Sequence, residues 1–482
     1  MLPELLAGER SVRVPELRNV ALTDRVVDII DHPAFQRLRT VRQLGPTHLV
    51  YPGAVHTRFE HSLGVFDMAR QYIEALLRHP HVAASLTEHD ILVCLLGALL
   101  HDLGHYPFAH SLEALHHAGM DTPRHEDLTG RILLGEVDAL RGETPIGTII
   151  ANRFGIDPQE VVDFVTRKPR WHARPERRLV ATILSSGVDA DKADYLERDS
   201  IHMGVTYGRN YDRARFLGAL RPSVDGDAIA VSDKGRVASE IFIFCRYTMF
   251  SEAYWHHTVR AVSAMVERAL GDFQARAQLD LPTLTRELLS RPDDDLLRWL
   301  VDQSPSDSQA HKLIGAMTGG RRRFYKRVLA LNRVFDDIRH HNAYERVYHL
   351  DRDAVVALRE ELAATISRAV GCRATLNDVI IDTPPRDKDR VESVKVVYAD
   401  GGTETERRLD EVSKVVQGIG TDFMKVVKKI RIFVSPEVRD AIDAAGGRAR
   451  IVGELFRTIL DFSPERDMQQ QLFASPSHGR PS

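Results

Sequence analysis

The stretch DILVCLLGALLHDLGH, residues 90–105, places a histidine and an aspartate at the end of a run that is otherwise almost wholly apolar. Because the residues before His101 are apolar on every side of a helix, the stretch predicts a buried helix with His101 and Asp102 at its inner end. An unpaired charge is costly to bury, so a buried His–Asp pair implies a bound cation or a close partner. The stretch therefore predicts a metal site built on a helical core.

Composition narrows the class of protein. The 482 residues predict about two or three domains, since one hydrophobic core seldom organises more than about 300 residues. A net charge of -3 argues against a protein whose whole surface binds polyanions. Three widely spaced cysteines, without a CxxC pair or a secretory start, predict a reducing, cytoplasmic location. The apolar run 91–100 is about half as long as a membrane helix, so no membrane association is expected.

The spacing of apolar residues predicts a mainly α fold. Helix follows helix up to about residue 310, and past about residue 370 the period changes to that of strands. The stretches DVIIDTPP, SVKVVYAD, GGTETERRL and KIRIFVSP predict strands, and Gly401-Gly402 predicts a hairpin turn. We divide the chain into an N-terminal segment (1–20), a helical domain (21–310), a smaller C-terminal α+β region (311–465) and a disordered tail (466–482).

A cation at the His–Asp pair needs further ligands, and two candidates stand out. His61 begins a predicted helix just after a loop, and Asp191 lies on a predicted helix where Tyr195 and Asp199 share its face. Imidazole and carboxylate ligands suit Mn, Fe, Ni, Zn or Mg. Each residue alone has a commoner explanation, a core histidine or a solvated acidic face. Their joint order favours a single metal site.

This order of residues resembles the HD-domain metal phosphohydrolases. The surrounding stretches are similar to one group of them, the deoxynucleoside triphosphate triphosphohydrolases, especially the bacterial members and the HD core of the animal enzyme with a sterile-alpha-motif domain. These stretches are FQRLRTVRQLG, YPGAVHTRFEHSLGV, HDLGHYPFAHSLE, RHED and VDADKADYLERD. The resemblance implies that residues 21–310 form a helical HD domain. It also implies that a divalent metal is held by His61, His101, Asp102 and Asp191.

The resemblance implies a reaction as well. Water attacks the α-phosphorus of a deoxynucleoside triphosphate (dNTP), which releases a deoxynucleoside and inorganic triphosphate and so controls dNTP pools. By similarity, His110 is the acid that protonates the leaving 5′-oxygen. His125 and Glu113 support it, although the family more often has Asp at the position of Glu113. His105 is expected over the phosphates.

The resemblance further implies a pocket for a deoxynucleotide substrate. Its residues are Gln43, Leu44, Arg58, Lys192, Tyr195 and Asp199. Arg58 and Lys192 lie close in sequence to metal ligands and within side-chain reach of a bound phosphate. Leu44 is expected where an additional 2′-hydroxyl would be crowded. Tyr254 and His257 align loosely beside this pocket.

Many members of the family are activated by a guanine nucleotide bound between subunits. The corresponding residues here are Asp31, Arg39, Arg322 and Lys326. The family's Asp-Pro-x-His-Gly segment is replaced by VPELR, residues 14–18, in which Val14, Leu17 and Arg18 stand for Asp, His and Gly. Because only glycine tolerates positive φ freely, this change alters how the backbone approaches an activator. We expect a homo-oligomer, a dimer or tetramer, in which a guanine nucleotide binds but gives a different response.

Alternatives remain open at this point. The basic stretch TRKPRWHARPERR, residues 166–178, is interpreted first as a solvated loop and second as a contact for single-stranded nucleic acid through Trp171. The site residues also suit an HD nucleotide monophosphatase, or a phosphodiesterase or nuclease. An alternative from a different class is a nucleotide- or nucleic-acid-binding protein without turnover, against which His110 and the full ligand set argue.

Overall fold

The computed structural model describes residues 4, 10–15, 18–117, 122–137, 144–334, 338–384 and 394–463. Most of these residues are helical, and three small sheets lie among them, so the predicted mainly α fold with a smaller C-terminal α+β region is confirmed. No helix in these ranges is long and apolar enough to span a membrane. The predicted tail, 466–482, falls outside the described residues.

The helices follow one another along the chain with short connections. The first twelve are α1 Asp24–Ile30, α2 Pro33–Gln36, α3 Arg58–Leu77, α4 Pro80–Ser85, α5 Glu88–Leu100, α6 Ala109–His117, α7 His125–Leu133, α8 Ile146–Phe154, α9 Pro158–Val165, α10 Pro175–Ala181, α11 Ala190–Met203 and α12 Arg213–Ala219. The others are α13 Arg236–Thr248, α14 His257–Ala277, α15 Leu281–Ser290, α16 Asp293–Asp302, α17 Gln309–Thr318, α18 Ile338–Tyr348, α19 Arg352–Val370, α20 Leu409–Val412, α21 Lys414–Asp422, α22 Pro436–Ala444 and α23 Arg448–Asp461.

The strands form a hairpin, a four-stranded sheet and a three-stranded sheet. They are β1 Arg10–Val14, β2 Arg18–Leu22, β3 Leu220–Pro222, β4 Ile229–Ser232, β5 Lys326–Leu331, β6 Val379–Asp382, β7 Lys395–Asp400, β8 Thr403–Arg408 and β9 Ile430–Val434. The hairpin pairs β1 with β2, and the two sheets have the orders β3-β4-β7-β8 and β5-β9-β6. The predicted strands at β6, β7, β8 and β9 are confirmed. The predicted turn between β7 and β8 is also confirmed, with φ of +56° at Gly401 and +85° at Gly402.

Helix α5 is the buried helix that the opening stretch predicts. It begins at a capping box, in which Thr87 and Asp90 bond each other's backbone N–H groups. Every residue from Asp90 to Leu100 is buried, and the helix packs against α3 and α9. His101 is its C-terminal cap, so the apolar body of the helix carries the His–Asp pair into the protein interior.

Helices α3 and α11 approach each other closely at a glycine. A Cβ atom at Gly64 would lie 1.9 Å from Asp194 Oδ1 and 2.1 Å from Arg198 Nη2, so no larger residue fits without displacing that pair. Because α3 carries His61 and α11 carries Asp191, this close approach sets the distance between two predicted metal ligands.

Two hydrophobic cores organise the described residues. The larger core extends from Val14 to Met317 and also takes in side chains from the C-terminal part, among them Val396 and Phe433. The smaller core lies between residues 328 and 462. The short strands β3 and β4 lie inside the region predicted as helical, and β4 pairs in parallel with β7. The predicted boundary between residues 310 and 311 therefore stays a proposal.

The basic stretch 166–178 lies against α5, so the solvated-loop interpretation is wrong for Trp171, whereas residues 168–170 and 173–175 are exposed. Trp171 is 1% exposed, and its ring meets that of Phe164 edge-on at 5.6 Å. Arg174 Nη2 and Arg177 Nε donate to the Asp90 carboxylate at 2.6 and 2.9 Å. The physical reason is that a carboxylate buried at the start of α5 needs counter-charges. A buried Trp171 also has no free face on which a base could stack.

Candidate active site

Three predicted metal ligands converge at one end of a cavity of 2190 Å³. His61 comes from the first turn of α3, His101 from the end of α5 and Asp191 from the first turn of α11. Each offers a ligand atom, and these atoms all lie within 4.8 Å of one another. Asp191 Oδ1 lies 3.1 Å from His61 Nε2 and 3.9 Å from His101 Nε2. Two imidazoles and a carboxylate at this spacing suit a divalent transition metal or Mg²⁺.

Asp102, the fourth predicted ligand, borders this group. Its Oδ2 atom lies 3.8 Å from His61 Nε2, and its Oδ1 atom lies 3.5 Å from His101 Nε2. The same carboxylate accepts from Arg58 Nη1 at 2.6 Å and lies 3.1 Å from His105 Nε2. Although burial raises the pKa of the Asp102 carboxyl, the neighbouring cationic groups hold it well below its usual value. Asp102 is therefore anionic and within reach of a cation held by the other three residues.

A buried ion pair fixes the orientation of His61. Its Nδ1 atom donates to Asp194 Oδ2 at 2.9 Å, and Asp194 in turn accepts from Arg198 Nη2 at 2.7 Å. This hydrogen bond turns Nε2 of His61 towards the ligand group, as in metal-bound histidines generally. Burial by itself lowers the pKa of His61, but Asp191 and Asp194 raise it to about 10. The same negative charges that keep a proton on His61 would also attract a metal cation to this position.

Sequence reasoning missed Asp194 and Arg198. Their spacing of four residues on one helix is the signal that an i,i+4 ion pair leaves in a sequence. On its own that spacing is typical of an exposed helix surface, where such pairs contribute little.

The predicted catalytic histidines form a cluster beside the metal ligands. The ring of His105 stacks on that of His125 at 3.9 Å, and the ring of His110 meets both edge-on at 5.3 and 5.8 Å. His125 Nδ1 donates to Glu113 Oε1, and His110 Nδ1 lies 3.5 Å from Glu113 Oε2. Arg58 Nη2 is 3.5 Å from His110 Nε2. The structure thus brings all four predicted catalytic residues together.

The charges in this cluster separate the roles of its members. The surrounding protein lowers the pKa of His110. The positive charges of Arg58 and His125 lower this pKa further, whereas Glu113 raises it. Burial, together with Arg58 and His125, also holds the pKa of His105 well below its usual value, so its ring is neutral. The His110 side chain is 65% exposed and opens onto the cavity. His110 is therefore the member of the cluster that a substrate can reach.

The predicted substrate residues line the same cavity. They are Gln43, Leu44, Arg58, Lys192, Tyr195 and Asp199. Lys192 Nζ lies 2.6 Å from Asp189 Oδ2, and Asp189 caps the start of α11. Gln43 Oε1 is buried and accepts no hydrogen bond from any described group, which leaves it free to accept one from a ligand. Burial raises the pKa of Tyr195 to about 12, so its hydroxyl stays protonated.

Asp199 is held by two side chains. It accepts from His56 Nε2 at 2.8 Å and from the Tyr254 hydroxyl at 2.5 Å. Tyr254 lines the cavity, whereas His257 is absent from the described lining residues. Tyr254 ends a π-helical turn, Met249–Tyr254, that continues α13. Such turns are rare and often mark functional sites. Sequence reasoning did not find His56.

Arg246 on α13 is a further cavity residue that sequence reasoning missed. Its Nη1 atom is buried without a hydrogen-bond acceptor among the described groups, and it lies close enough to Lys192 and Tyr195 to shift their pKa values. The available signal was a single arginine in the apolar stretch IFIFCRYTMF. An arginine in that position can bind a negatively charged group of a substrate.

The residues predicted to bind an activating nucleotide do not line this cavity. Asp31 and Lys326 are exposed, Arg39 lies over the Phe59 ring at 3.6 Å, and Arg322 Nη1 donates to the Leu49 carbonyl at 2.8 Å. In the VPELR segment, Val14 is buried and pairs with Arg18 across the β1–β2 hairpin, while Leu17 falls outside the described residues. The activator site stays a prediction.

Comparison with known families matches two adjacent segments of the chain. The family described as HD domain matches residues 58–199, and the family described as HD associated region matches residues 212–449. The uncharacterized protein YwfO of Bacillus subtilis is 34% identical over 267 residues, which cover 55% of this chain and 56% of that protein. Human deoxynucleoside triphosphate triphosphohydrolase SAMHD1 is 29% identical over 276 residues, 52% of this chain and 42% of that enzyme. The chain thus spans about half the length of these relatives.

The fold is also shared with a solved structure. A hypothetical protein from Aquifex aeolicus aligns with a TM-score of 0.64 and 23% identity, over 92% of this chain and 99% of that one. The predicted ligands His61, His101, Asp102 and Asp191 all fall within the matched HD domain segment. The chain therefore belongs to the HD-domain phosphohydrolases, with an HD-associated region that follows the HD domain.

Proposed function

We propose that this protein hydrolyses dNTPs to deoxynucleosides and inorganic triphosphate. The observation that carries the proposal is the position of Arg58. One of its guanidinium nitrogens bonds Asp102 at 2.6 Å, and another lies 3.5 Å from His110 Nε2. A single cationic side chain thus joins the metal-ligand group to the predicted acid. A phosphate bound at Arg58 would lie beside both.

The donor set fits a divalent ion held by His61, His101, Asp191 and Asp102. When bound, such an ion supplies Lewis-acid chemistry, which polarises a phosphate and acidifies water. Arg58, Lys192 and Arg246 are three cationic side chains that line the cavity and can neutralise a triphosphate. This number of cations favours a triphosphate over a monophosphate substrate.

His110 donates the proton that the leaving group requires. Water adds to the α-phosphorus, the bond from phosphorus to the 5′-oxygen breaks, and that oxygen takes the proton from His110. Arg58 is one of the groups that lower the pKa of His110. A phosphate that pairs with Arg58 weakens this effect, so substrate binding promotes protonation of His110. Glu113 and His125 hold the ring in place.

Sugar selection is proposed to rest on Gln43, Leu44, Tyr195 and Asp199. Gln43 Oε1 is an unused acceptor and Asp199 a buried carboxylate, both suited to a 3′-hydroxyl. Leu44 leaves no polar partner for a 2′-hydroxyl. Human SAMHD1, whose name states dNTP hydrolysis, is 29% identical to this chain over 276 residues, and this similarity supports the proposal.

Product analysis tests the proposal. The purified protein is incubated with each of the four dNTPs and Mn²⁺ or Mg²⁺ in ¹⁸O-labelled water, and the products are separated by anion exchange. We expect deoxynucleoside and triphosphate, with the label in the triphosphate. Orthophosphate or pyrophosphate as first product would instead favour the monophosphatase or phosphodiesterase alternatives. Metal-replete protein without turnover would favour a binding protein.

Regulation by a guanine nucleotide and assembly into a homo-oligomer belong to the same proposal. Arg39→Ala is expected to abolish any activation of dNTP hydrolysis by GTP without changing the metal content, because coupling needs a ligand that binds the active state more tightly. Turnover that is already maximal and indifferent to GTP in the unaltered protein would contradict an activator site.

A further inference from the structure

The cavity extends well beyond the proposed active site, along one face of α14. The lining residues there are Ser263, Ala264, Glu267, Arg268, Gly271 and Ala275. Their spacing of three, four and seven residues places them on one side of the helix. Four of the six are small and leave room for a ligand. The first turns of α19 and strand β6 line the same cavity.

Three arginines face this groove without a carboxylate partner in the described part of the chain. Arg359 on α19 is 5% exposed, and two of its nitrogens donate to the carbonyls of Val379 and Leu376 at 2.8 and 2.5 Å. Arg268 donates to Asn377 Oδ1 at 3.4 Å, and its Nε is buried without an acceptor. Arg352 is exposed at the start of α19. The groove therefore carries positive charge that no ion pair neutralises.

The acidic residues of the groove are engaged elsewhere. Asp272 accepts from Arg276 at 3.2 Å and from the backbone N–H of Ala310 at 3.0 Å. Asp382 binds Arg260, and Asp351 caps α19 through the backbone N–H of Ala354 at 2.9 Å. These contacts use the carboxylates for structure and leave the three arginines available.

Glu267 is the remaining acidic residue of the groove. Burial raises its pKa to about 7, against the effect of Arg260. It can therefore become neutral near physiological pH and donate a hydrogen bond to an anion, so it does not exclude one.

Buried guanidinium groups without a direct ion pair are unfavourable. Burial lowers the pKa of Arg359 to about 9 and lowers that of Arg268, although Asp272 partly opposes the change at Arg268. A ligand with two or more negative charges would offset this cost, and the planar guanidinium matches phosphate geometry. We propose that the groove binds a phosphate-bearing anion, held by Arg268 and Arg359 with Arg352 at its entrance. The inference does not depend on the proposed reaction. The groove site does not use Arg58, Lys192 or the predicted activator residues.

Binding of inorganic triphosphate to the full chain tests this site. Equilibrium dialysis is performed in EDTA with the Lys192→Gln protein, in which the proposed substrate site is weakened, and then with Arg268→Gln added. We expect Arg268→Gln to weaken binding by at least about 10-fold, the usual value of a hydrogen bond between charged groups. Arg298→Gln is the matched control, since Arg298 is an exposed arginine outside the cavity, and it is expected to change nothing.

Unchanged affinity and stoichiometry in the folded Arg268→Gln protein would overturn the proposal. If circular dichroism shows that this variant does not fold, Arg352→Gln replaces it, with a smaller loss of affinity expected and an unchanged affinity again contradicting the site. Two further probes identify the source of the phosphate. A dNTP that binds more tightly than triphosphate assigns the groove to nucleotide phosphates, and equal affinities assign it to the inorganic anion. Arg268-dependent binding of a deoxynucleoside would contradict an anion site.

Discussion

At the scale of single residues, the proposed roles in metal binding and in proton transfer fall on two separate groups of side chains. The proposed metal-ligand group includes a hydrogen bond from His61 Nδ1 to Asp194, and Asp194 is not among the described residues that line the cavity. The proton-transfer group depends on Glu113, which accepts from His125 and lies 3.5 Å from His110 Nδ1. Substitutions in the two groups should therefore have different effects on metal content and on rate.

His110→Ala is expected to lower kcat by about 10²- to 10⁴-fold, the usual contribution of general acid catalysis. Metal content should be unchanged, because His110 is not among the ligand atoms that converge at Asp191. Steady-state kinetics with a dNTP and elemental analysis of the same sample make this measurement. A rate within a factor of two of the unaltered protein would exclude His110 as the acid.

Asp194→Asn is expected to reduce metal affinity by about 10- to 100-fold, the usual effect of removing the partner of a metal-bound histidine. The Asn side chain has nearly the same shape as the Asp side chain, but it is neutral and therefore a weaker acceptor for the His61 N–H group. Titration of the metal-free protein with Mn²⁺ gives the affinity. Asp212→Asn, the same change at the N-cap of α12 away from the cavity, should leave the affinity unchanged. Equal affinities for both variants would remove Asp194 from the site.

At the scale of secondary-structure elements, the approach of α3 to α11 positions the ligands. Gly64→Ala would place a methyl group 1.9 Å from Asp194 Oδ1, so we expect a loss of about 1–3 kcal/mol in unfolding free energy and weaker metal binding. Gly218→Ala in α12 is the matched control, because a Cβ there meets nothing within 4 Å. It should stabilise the protein by up to about 1 kcal/mol. Urea denaturation of both variants decides; equal stabilities would show that the helices can separate at Gly64 without cost.

The start of α5 supports a second prediction at this scale. Asp90 binds Arg174, Arg177 and Thr87, and although burial opposes them, these partners lower its pKa. Asp90→Asn should therefore cost about 3 kcal/mol at neutral pH, as for other buried ion pairs that lose one partner. A lowered pKa means that the advantage of the unaltered protein is complete above the usual value of 3.8 and is lost as pH falls through the lower, folded-state value.

Denaturation of the unaltered and Asp90→Asn proteins between pH 7 and pH 2 gives the two stability curves. We expect the curves to converge only in the acidic part of this range. A constant difference at all values of pH would show that the charge of Asp90 is not what stabilises the stretch 166–178.

The sequence predicted elements well where a pattern is local. The apolar run before His101 requires a buried helix, and two consecutive glycines after Asp400 suit a hairpin turn. Strands β3 and β4 were not predicted, because three and four residues are too few for an alternation and they become strands only by pairing with each other and with β7. Trp171 was not expected to be buried. Its ring packs against Phe164 and Arg177, and Arg177 is held by Asp90, which is distant in sequence. His56 and Arg246 could not be predicted as site residues, because only the folded chain brings them beside Asp199, Lys192 and Tyr195.

At the scale of the whole molecule, the boundary between residues 310 and 311 separates two sequence patterns within one packed structure. The larger core uses Ile380, Val396 and Phe433 from beyond that boundary. Each large buried apolar side chain contributes about 1.5–3 kcal/mol, and a domain has only about 5–15 kcal/mol of net stability. Residues 1–310 alone are therefore expected not to fold cooperatively. Thermal unfolding followed by circular dichroism tests this, and a sharp transition near that of the full chain would show that the helical part is an independent domain.

Because of the π-helical turn Met249–Tyr254, the position of Tyr254 in the pocket depends on the number of residues in this part of the chain. A π-turn holds one residue more than the α-helical turn it replaces. One residue corresponds to about 100° of rotation around an α-helix. Loss of any single residue from this turn would let α13 continue as a regular helix and would swing Tyr254 away from Asp199, even if every residue that contacts Asp199 were kept. For this segment, insertions and deletions are therefore a stricter constraint than substitutions, and a relative with the same side chains but a different count between Arg246 and Tyr254 would not build the same pocket.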